Sequence, residues 1–538
     1  MVFNSLTIIS SCIKDPLVQE EFGRFRSFFW PVHRREVGKL LPMFSIFFIL
    51  SFIYNLLRPV KQSIVLNAPG SAGAEIIPFL KVWAVLPMAF ILTYIVTGLI
   101  NKYCRERVFY FTIIGFLVYF FVFAVYLYPN LEYMQLHGFV DYLEGLFVEG
   151  SKIKLGLKGL FLMIRYWPLT IFYSLAELWG VVILTMLFWG FANEVTKVAD
   201  AKRLYSFYSM SGNASGILAG TLGSFLASLF LSESEYSWIN YLVEQGYILG
   251  NTDWEQALFS ITMIVMVLGF FCMLIFNRLV NSEHLEETDF KKQYHINAEE
   301  DKLSLTECIA YVFRFRYLAY LAILVVSYNI IFHVNDVLWS QEMKRFFGDN
   351  KNAMTAYGAK VTAITGLFAT LIDLFITGNM LRRFGWTFTA LITPIVVFVT
   401  GIMFFSLLFC DNGLFNCKIF LHAFLNNPMF STTLLFGTLQ VISARSCKYT
   451  VFDASKEIAY IPLSKEGKRK GKAAIDVIGS RFGKSGGALF LQLMIIIFGS
   501  ISASTPYIII FIMVLTIIWI ITAKALGREV EMVAEHKY

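Results

Sequence analysis

Two charged side chains lie within long apolar stretches of this sequence, where an ionised group is costly. Lys61 follows the apolar segment 43–53, and Glu177 is the sole charged residue between Tyr166 and Ala192. A charge at the centre of a lipid bilayer costs about 2.5–3.5 kcal/mol on insertion scales, so it normally faces a partner or a polar path. A buried cation and a buried anion together predict a cavity for a charged solute.

Arg58 and Lys61 flank Pro59 at the end of the first apolar stretch. Proline removes a backbone donor, so we expect Pro59 to break the helix and to free backbone groups that line a cavity. The planar guanidinium group of arginine and the compact ammonium group of lysine both suit a polyphosphate. The alternative is that both side chains extend to the outer edge of the membrane, where their charges are hydrated.

Further polar residues lie within later apolar stretches. Asn329, His333 and Asp336 fall at helical spacing and share one face, which we expect to line the cavity; exposure of Asp336 at the membrane edge is the alternative. Asp373 is a lone acid that is either structural or part of the solute path. Glu177 suits a partner cation in the empty site or a gate charge, and the alternative is a structural ion pair with another helix.

The segment 445–472 is the most basic part of the chain, and we predict that it is a loop. Lys448 and Lys456 lie beside aromatic residues near the end of an apolar stretch, so we expect one of them to contact the solute. The segment 479–485 resembles a phosphate-binding P-loop, but it is one residue short and no strand precedes it. An ATP-driven motor is therefore not expected.

The composition is that of an integral membrane protein. The chain has 538 residues, of which 57% are hydrophobic and 15% are charged. A helix of roughly 20 apolar residues crosses the hydrocarbon core of a bilayer. Apolar stretches of this kind occur at 40–57, 76–100, 108–128, 166–191, 205–231, 256–280, 317–341, 354–380, 386–409, 418–443, 473–500 and 504–524. They predict an all-α membrane protein with twelve transmembrane helices in two pseudo-symmetric six-helix halves.

The two halves show weak internal similarity. Residues 98–103 correspond to 378–384, and residues 201–216 correspond to 471–486. A duplicated unit of this kind predicts two parallel six-helix halves with a site between them. The predicted organisation is an N-terminal arm (1–36), a first half (37–280), a linker (281–302), a second half (303–525) and a C-terminal tail (526–538).

Lysine and arginine residues concentrate in the N-terminal arm and in the loops after even-numbered stretches, whereas the loop 232–255 has neither. By the positive-inside rule, this distribution predicts that the arm, the linker and the tail are cytoplasmic. The net charge of +7 is therefore an orientation signal, and no nucleic-acid partner is expected. The N-terminus has no basic region ahead of an apolar stretch, so no cleaved signal peptide is expected.

The seven cysteines are scattered, and none has the spacing of metal ligands. We therefore expect no metal and no cofactor, and we find no complete catalytic cluster, so the chain is predicted not to be an enzyme. The distant alternative is a polytopic membrane enzyme that acts on a phosphorylated substrate. Such an enzyme needs a polar catalytic cluster at the depth of the lipid headgroups.

Several motifs match a known family. They are the run Arg58-Pro59-Val60-Lys61, the segments 177–180 and 188–194, the block 452–463 and its continuation 471–487. These motifs resemble the ATP/ADP translocase family, the nucleotide transporters of obligate intracellular bacteria and plastids. The resemblance implies a major-facilitator-like antiporter of a bacterial inner membrane that imports ATP in exchange for ADP. It leaves open whether phosphate travels with ADP, and a monomer in the lipid bilayer is the expected state.

The resemblance also assigns the family's important charges to Lys61, Glu177, Asp336 and one lysine of the pair Lys448 and Lys456. The acidic position is commonly glutamate in the family, so aspartate at position 336 shortens the reach of the carboxylate. Together with Arg58, these lysines would bind the phosphates, and a carboxylate would pair with a freed lysine in the empty carrier. The candidates for stacking on adenine are Tyr54, Trp179 and Tyr449.

Proton-coupled symport is the nearest alternative to exchange. The family also contains carriers that import nucleotides together with protons. Glu177, Asp336, Asp373 and His333 are the residues that would serve such coupling. The sequence alone does not distinguish the two modes.

Overall fold

The computed structural model describes residues 33–71, 73–196, 198–230, 237–282, 305–411, 432–460, 463, 467, 471, 474–475 and 480–535. Its regular secondary structure is helical, and no strand occurs within these residues. The all-α class is therefore confirmed. The predicted arm 1–36 and linker 281–302 lie almost entirely outside the described residues, as do parts of the stretches 418–443 and 473–500.

Residues 33–282, called the N-terminal part below, begin with one long helix. The helices are α1 (Arg34–Leu66), α2 (Ile76–Phe79), α3 (Leu86–Lys102), α4 (Arg105–Val122), α5 (His137–Gly145), α6 (Lys152–Gly156), α7 (Lys158–Arg165), α8 (Trp167–Trp179), α9 (Gly190–Val195), α10 (Val198–Leu229), α11 (Ser237–Glu244) and α12 (Asp253–Val280). A 3-10 turn precedes α2, and π-helical segments extend three of the rods: Leu80–Val85, Phe123–Leu127 and Gly180–Trp189.

Residues 305–535, called the C-terminal part, have the same character. The helices are α13 (Leu305–Arg314), α14 (Arg316–Phe347), α15 (Lys351–Ile372), α16 (Gly378–Asp411), α17 (Thr432–Cys447), α18 (Asp453–Ala459), α19 (Ser480–Phe498) and α20 (Ile501–Glu535). Two further π-helical segments, Asp373–Thr377 and Lys448–Phe452, join consecutive helices. α20 continues past the predicted start of the tail at residue 526.

Each of the twelve predicted stretches contains helix. Nine helical rods among the described residues are long and apolar enough to cross a membrane, which agrees with a polytopic membrane protein. The rods outside this set are α10, α17 and α19. A total of twelve spans is consistent with the structure and stays a prediction.

The expected break at Pro59 is absent, so this prediction was wrong. α1 continues without interruption to Leu66 and contains both Pro42 and Pro59. Neighbouring helices can satisfy or shield the backbone groups that a proline leaves unpaired within a bundle. The consequence is that Arg58 and Lys61 lie inside a helix that is surrounded by protein, and not in a loop beyond it.

The prediction of a loop from residue 445 onward is also wrong for its first residues. α17, the π-helical segment Lys448–Phe452 and α18 form one rod that reaches Ala459. Val451 and Phe452 are buried in this rod, so apolar packing extends the helix beyond the stretch that hydropathy alone defined. Most residues from 461 to 479 lie outside the described residues.

The two parts meet along α10 and α15, whose backbones touch through small residues. A Cβ atom on Gly220 would lie 2.4 Å from the nitrogen of Ala363, and one on Gly366 would lie 2.9 Å from the carbonyl oxygen of Asn213. Close contacts of this kind are typical of membrane helices, where dispersion and backbone contacts replace the hydrophobic effect. α1 packs against both helices and holds the site described below at the centre of the bundle.

Substitution of Gly220→Val should therefore separate α10 from α15. We expect a loss of stability of about 1–3 kcal/mol or more, because the added methyl groups have no space and the backbones must move. Thermal unfolding of the detergent-solubilised protein measures the effect. Gly115→Val is the matched control, since a Cβ atom there meets nothing within 4 Å. Equal melting temperatures for the two variants would contradict the packing argument.

Candidate functional site

A cavity of about 750 Å³ lies between the two parts. Its lining residues on α1 begin at Phe47 and end at Arg58, which spans about 16 Å along the helix axis at 1.5 Å per residue. The π-helical segment Gly180–Trp189, α10 and α15 supply more than half of the remaining wall, and α8, α17 and α19 add to it. The cavity therefore extends from the middle of the bundle toward the end at which α1 begins.

The opposite end of the bundle is closed by hydrogen bonds between the two parts. The pairs, donor first, are Ser63 Oγ to Lys351 O (2.8 Å), Lys344 Nζ to Asn67 Oδ1 (2.7 Å), Ala74 N to Gln341 Oε1 (3.1 Å), Gln492 Nε2 to Pro78 O (2.8 Å) and Ile501 N to Glu75 Oε1 (3.0 Å). All of them lie beyond the level of Arg58. These contacts therefore close the bundle at the end away from the cavity.

Basic side chains from both parts line the cavity. Arg58 and Lys81 come from the N-terminal part, and the others are Arg445, Lys448 and Lys484. Lys61 adjoins this group from inside the protein, where it is 4% exposed. The carboxylates nearby are Glu177, Asp336 and Asp453. Six basic groups against three acidic ones leave an excess of three positive charges around the cavity.

Glu177 accepts hydrogen bonds from two lysines. Lys61 Nζ donates to its Oε2 atom, and Lys81 Nζ donates to its Oε1 atom at 2.5 Å. Both ammonium groups also lie near the ring of Tyr173, at 5.5 and 5.9 Å from its centroid. The carboxylate and the aromatic ring compensate each ammonium group for the water that it loses on burial. Lys61 is therefore held inside the bundle and does not extend to the membrane edge.

Asp336 pairs with Arg445 in the C-terminal part. The guanidinium group donates to Asp336 Oδ1, and its carbon atom lies 5.4 Å from the ring centroid of Trp339. The side chain of Arg445 is 3% exposed and that of Asp336 is 28% exposed, so the guanidinium group is desolvated and the carboxylate is partly so. Each part thus neutralises its own carboxylate with its own cation. Among the described residues, the ion pairs at the cavity do not cross from one part to the other.

Several of the residues predicted from the sequence meet at this cavity. Tyr54, Arg58, Glu177, Lys448 and Tyr449 all line it. Lys61 and Asp336 do not line it, but each is paired with a residue that does. The pairing of Glu177 with Lys61 is the arrangement that we hypothesised for an empty carrier.

The other candidates lie away from the cavity wall. Asn329 Nδ2 donates to Val325 O at 2.8 Å within its own helix. His333 is 5% exposed and is enclosed by protein, because α14 is buried on most of its surface. Lys456 Nζ lies 3.6 Å from a carboxylate oxygen of Glu457. Of the two candidate lysines, only Lys448 therefore reaches the cavity.

Asp373 and Trp179 also lie elsewhere. Asp373 begins the π-helical segment that follows α15, and the next two side chains, Leu374 and Phe375, are exposed on the outer surface of the bundle. Trp179 is fully buried, and its Nε1 atom donates to Leu50 O at 3.0 Å. It is a packing residue, so the expectation that it stacks on a ligand has no support in this geometry.

Sequence reasoning missed three basic residues of the cavity: Lys81, Arg445 and Lys484. Lys81 had a usable signal, because it is a lone charge within the stretch 76–100. Arg445 lies in the segment that the sequence predicts to be a loop. Lys484 lies in the segment that resembles a P-loop but does not match its spacing. Basic residues near the ends of apolar stretches serve orientation as well as binding, so hydropathy does not separate the two roles.

A bundle of membrane-spanning helices in two parts, closed at one end around a cation-lined cavity, defines a solute carrier of the major facilitator type. The fold matches the solved xylose transporter XylE from E. coli in a partially occluded inward-open conformation, with a TM-score of 0.52 at 12% identity over 91% of this chain and 97% of that one. A bacterial homologue of the iron transporter ferroportin in an inward-facing state gives a TM-score of 0.51 at 11% identity, over 91% of this chain and all of that one. The expected major-facilitator-like class is thereby confirmed.

The chain belongs to the TLC ATP/ADP transporter family, whose model matches residues 17–530. ADP,ATP carrier protein 1 of Chlamydia trachomatis is 36% identical over 516 residues, which cover 95% of this chain and 92% of the relative. ADP,ATP carrier protein 4 of Rickettsia felis is 33% identical over 535 residues, which cover 97% and 98%. The family resemblance drawn from the sequence motifs is confirmed. The chain is a multi-pass membrane transporter and not an enzyme.

Substitution of Glu177→Gln should destabilise this site by about 3–5 kcal/mol, because two buried ammonium groups lose their shared carboxylate. The expected result is a lower melting temperature of the detergent-solubilised protein. The double variant Glu177→Gln/Lys61→Met should recover at least half of the loss, since one of the two unpaired cations is removed. A single variant as stable as the parent would contradict the described pairing.

Proposed function

We propose that this chain imports ATP in exchange for ADP across the cytoplasmic membrane of a bacterium by alternating access. The observation that carries the proposal is the excess of positive charge at a cavity between the two parts of the bundle. The printed names of the relatives, which are ADP,ATP carrier proteins, support adenine nucleotides as the solutes. The distribution of lysine and arginine supports cytoplasmic termini, so the cavity of this structure would face the cytoplasm.

The cations fit a polyphosphate chain. Each phosphate carries negative charge at neutral pH and accepts several charge-assisted hydrogen bonds. Arg58 and Lys81 would hold it from one part, and Lys448 and Lys484 from the other. The Nζ atom of Lys448 lies 4.6 Å from the ring centroid of Tyr449, and this contact places the ammonium group at the cavity wall. All of these groups belong to one chain, which supports a monomer as the transporting unit.

The same charges supply a reason for obligatory exchange. Arg58 lies within electrostatic range of Arg445 on the other part. A change of access state must bring the facing walls together, and in the empty carrier that step would press like charges against each other in a poorly solvated space. A bound polyphosphate would neutralise both walls and lower the free energy of the closed state. A substrate shifts such an equilibrium only through this kind of differential interaction.

Lys448 and Lys456 provide a matched test of the phosphate site. Lys448→Ala should raise the KM for ATP at least about tenfold, because one charge-assisted hydrogen bond to phosphate is worth about 1.5–3 kcal/mol. Lys456→Ala should change KM less than about twofold, since its ammonium group lies near Glu457 and outside the cavity wall. The measurement is the initial rate of labelled ATP uptake into proteoliposomes. Equal effects of the two substitutions would contradict the assignment of Lys448.

Exchange itself is tested with proteoliposomes loaded with ADP, with phosphate, or with buffer alone. We expect labelled ATP to enter only the vesicles that contain ADP, with or without phosphate, because the empty carrier does not reorient. The variant Lys61→Ala should insert normally and show no uptake. Glu177 then keeps only Lys81 as an ion-pair partner, so the site loses one positive charge. Uptake into buffer-loaded vesicles that rises with an imposed pH gradient would favour proton symport. Normal uptake by the Lys61→Ala variant would contradict the requirement for the Lys61–Glu177 ion pair in transport.

A further inference from the structure

The charges at the cavity are confined to part of its wall, and the rest of the wall is uncharged. α10 contributes Ser209, Gly212, Asn213 and Gly216, and α15 contributes Thr362, Thr365, Gly366 and Ala369. All eight are uncharged and none has a large side chain, so no charged group projects from this wall. A polyphosphate has no charge partner on this wall. An uncharged ring meets no charge there that it would desolvate.

Asn55 lies at the junction of the two walls. It lines the cavity on α1, three residues before Arg58, which places it about 4.5 Å along the axis toward the cavity mouth. Its side chain also contacts α10, since Asn55 Nδ2 lies 3.2 Å from Ser215 Oγ. A ligand whose phosphates lie at Arg58 can therefore extend past Asn55 toward the cavity mouth.

The orientation of the Asn55 carboxamide is fixed by Ser215. The hydroxyl group of Ser215 donates its single hydrogen to Gly212 O at 2.7 Å. It can therefore only accept from Asn55, which must present its amide nitrogen to Ser215 and its carbonyl oxygen elsewhere. The side chain that reaches the cavity thus presents its Oδ1 acceptor in a fixed position, beside the one amide hydrogen that Ser215 does not use. Among the described residues, no other hydrogen bond of Asn55 is present.

We propose that Asn55, oriented by Ser215, reads the edge of the nucleobase, with its Oδ1 atom accepting a hydrogen bond from an exocyclic amino group. This inference rests on the proposed function. It adds the recognition of the nucleobase, which the proposed function leaves unassigned. Adenine presents an amino group at its 6-position, whereas guanine and hypoxanthine present a carbonyl oxygen there. Two facing acceptors leave both atoms unpaired, so the 6-oxo bases are rejected. Asn55 is a specificity residue that contacts the solute, and Ser215 is a positioning residue.

The test compares ATP with ITP, which replaces the 6-amino group of the base by oxygen and keeps the triphosphate unchanged. The probe is inhibition of labelled ATP uptake into ADP-loaded proteoliposomes by each unlabelled nucleotide. We expect the parent protein to prefer ATP over ITP by at least about tenfold, since a site built to bind a polar group discriminates strongly against its absence. Asn55→Ala should bring the ratio close to one. Ser215→Ala should narrow it at least about threefold, because the freed amide can turn and donate to the 6-oxo group.

Ser211→Ala is the matched control on the same helix. The Ser211 hydroxyl donates to Tyr208 O at 2.8 Å and does not contact Asn55, so this variant should keep the parental ratio. Should Asn55→Ala fail to fold, Ser215→Ala decides alone, because Ser215 is absent from the cavity wall. ATP uptake with an ATP-to-ITP ratio near one in the parent, or with an unchanged ratio in Ser215→Ala, would overturn the base-reading proposal and leave the nucleotide exchange intact. A parent that neither binds nor transports ATP would overturn both.

Discussion

Basic side chains from two separately packed parts of the bundle face one another across a single cavity, and this repulsion is the constraint on which the site depends. Each part satisfies its buried carboxylate internally, through Lys61 and Lys81 with Glu177 and through Arg445 with Asp336. Across the cavity, Arg58 interacts electrostatically with Asp336 and Lys484 with Glu177, so the carboxylates of the opposite part offset only some of the positive charge. In the proposed exchange, the solute would supply the charge that allows the two parts to approach, and electrostatics would thereby link binding to conformational change.

Local backbone geometry places these charges. Lys81, Lys448 and the residues that follow Glu177 lie in or beside π-helical segments, where an extra residue per turn changes the direction in which side chains point. The residues that α10 and α15 contribute to the cavity wall are all uncharged. The cavity thus has a cationic side and a neutral side, which matches a solute that has a charged end and a planar end.

The fold was largely predictable because its signals are local. Hydropathy located the long apolar helices, and charges in or beside apolar stretches were enough to find Lys61 and Glu177. The partner of each charge was not predictable, because Lys61 and Glu177 are 116 positions apart and only tertiary packing joins them. The structure does not place the shared face of Asn329, His333 and Asp336 on the cavity wall, and the reason is related. α14 is buried nearly all round, so a polar residue on it faces protein as readily as a cavity.

The central claim is that the excess cations bind the phosphate chain of a nucleotide. Calorimetric titration of the purified protein with adenosine, AMP, ADP and ATP tests it most directly, because these ligands share one base and one sugar. The account predicts that affinity rises with each added phosphate and falls as salt is added, with adenosine the weakest ligand. Adenosine binding as tightly as ATP, at an affinity insensitive to salt, would contradict it.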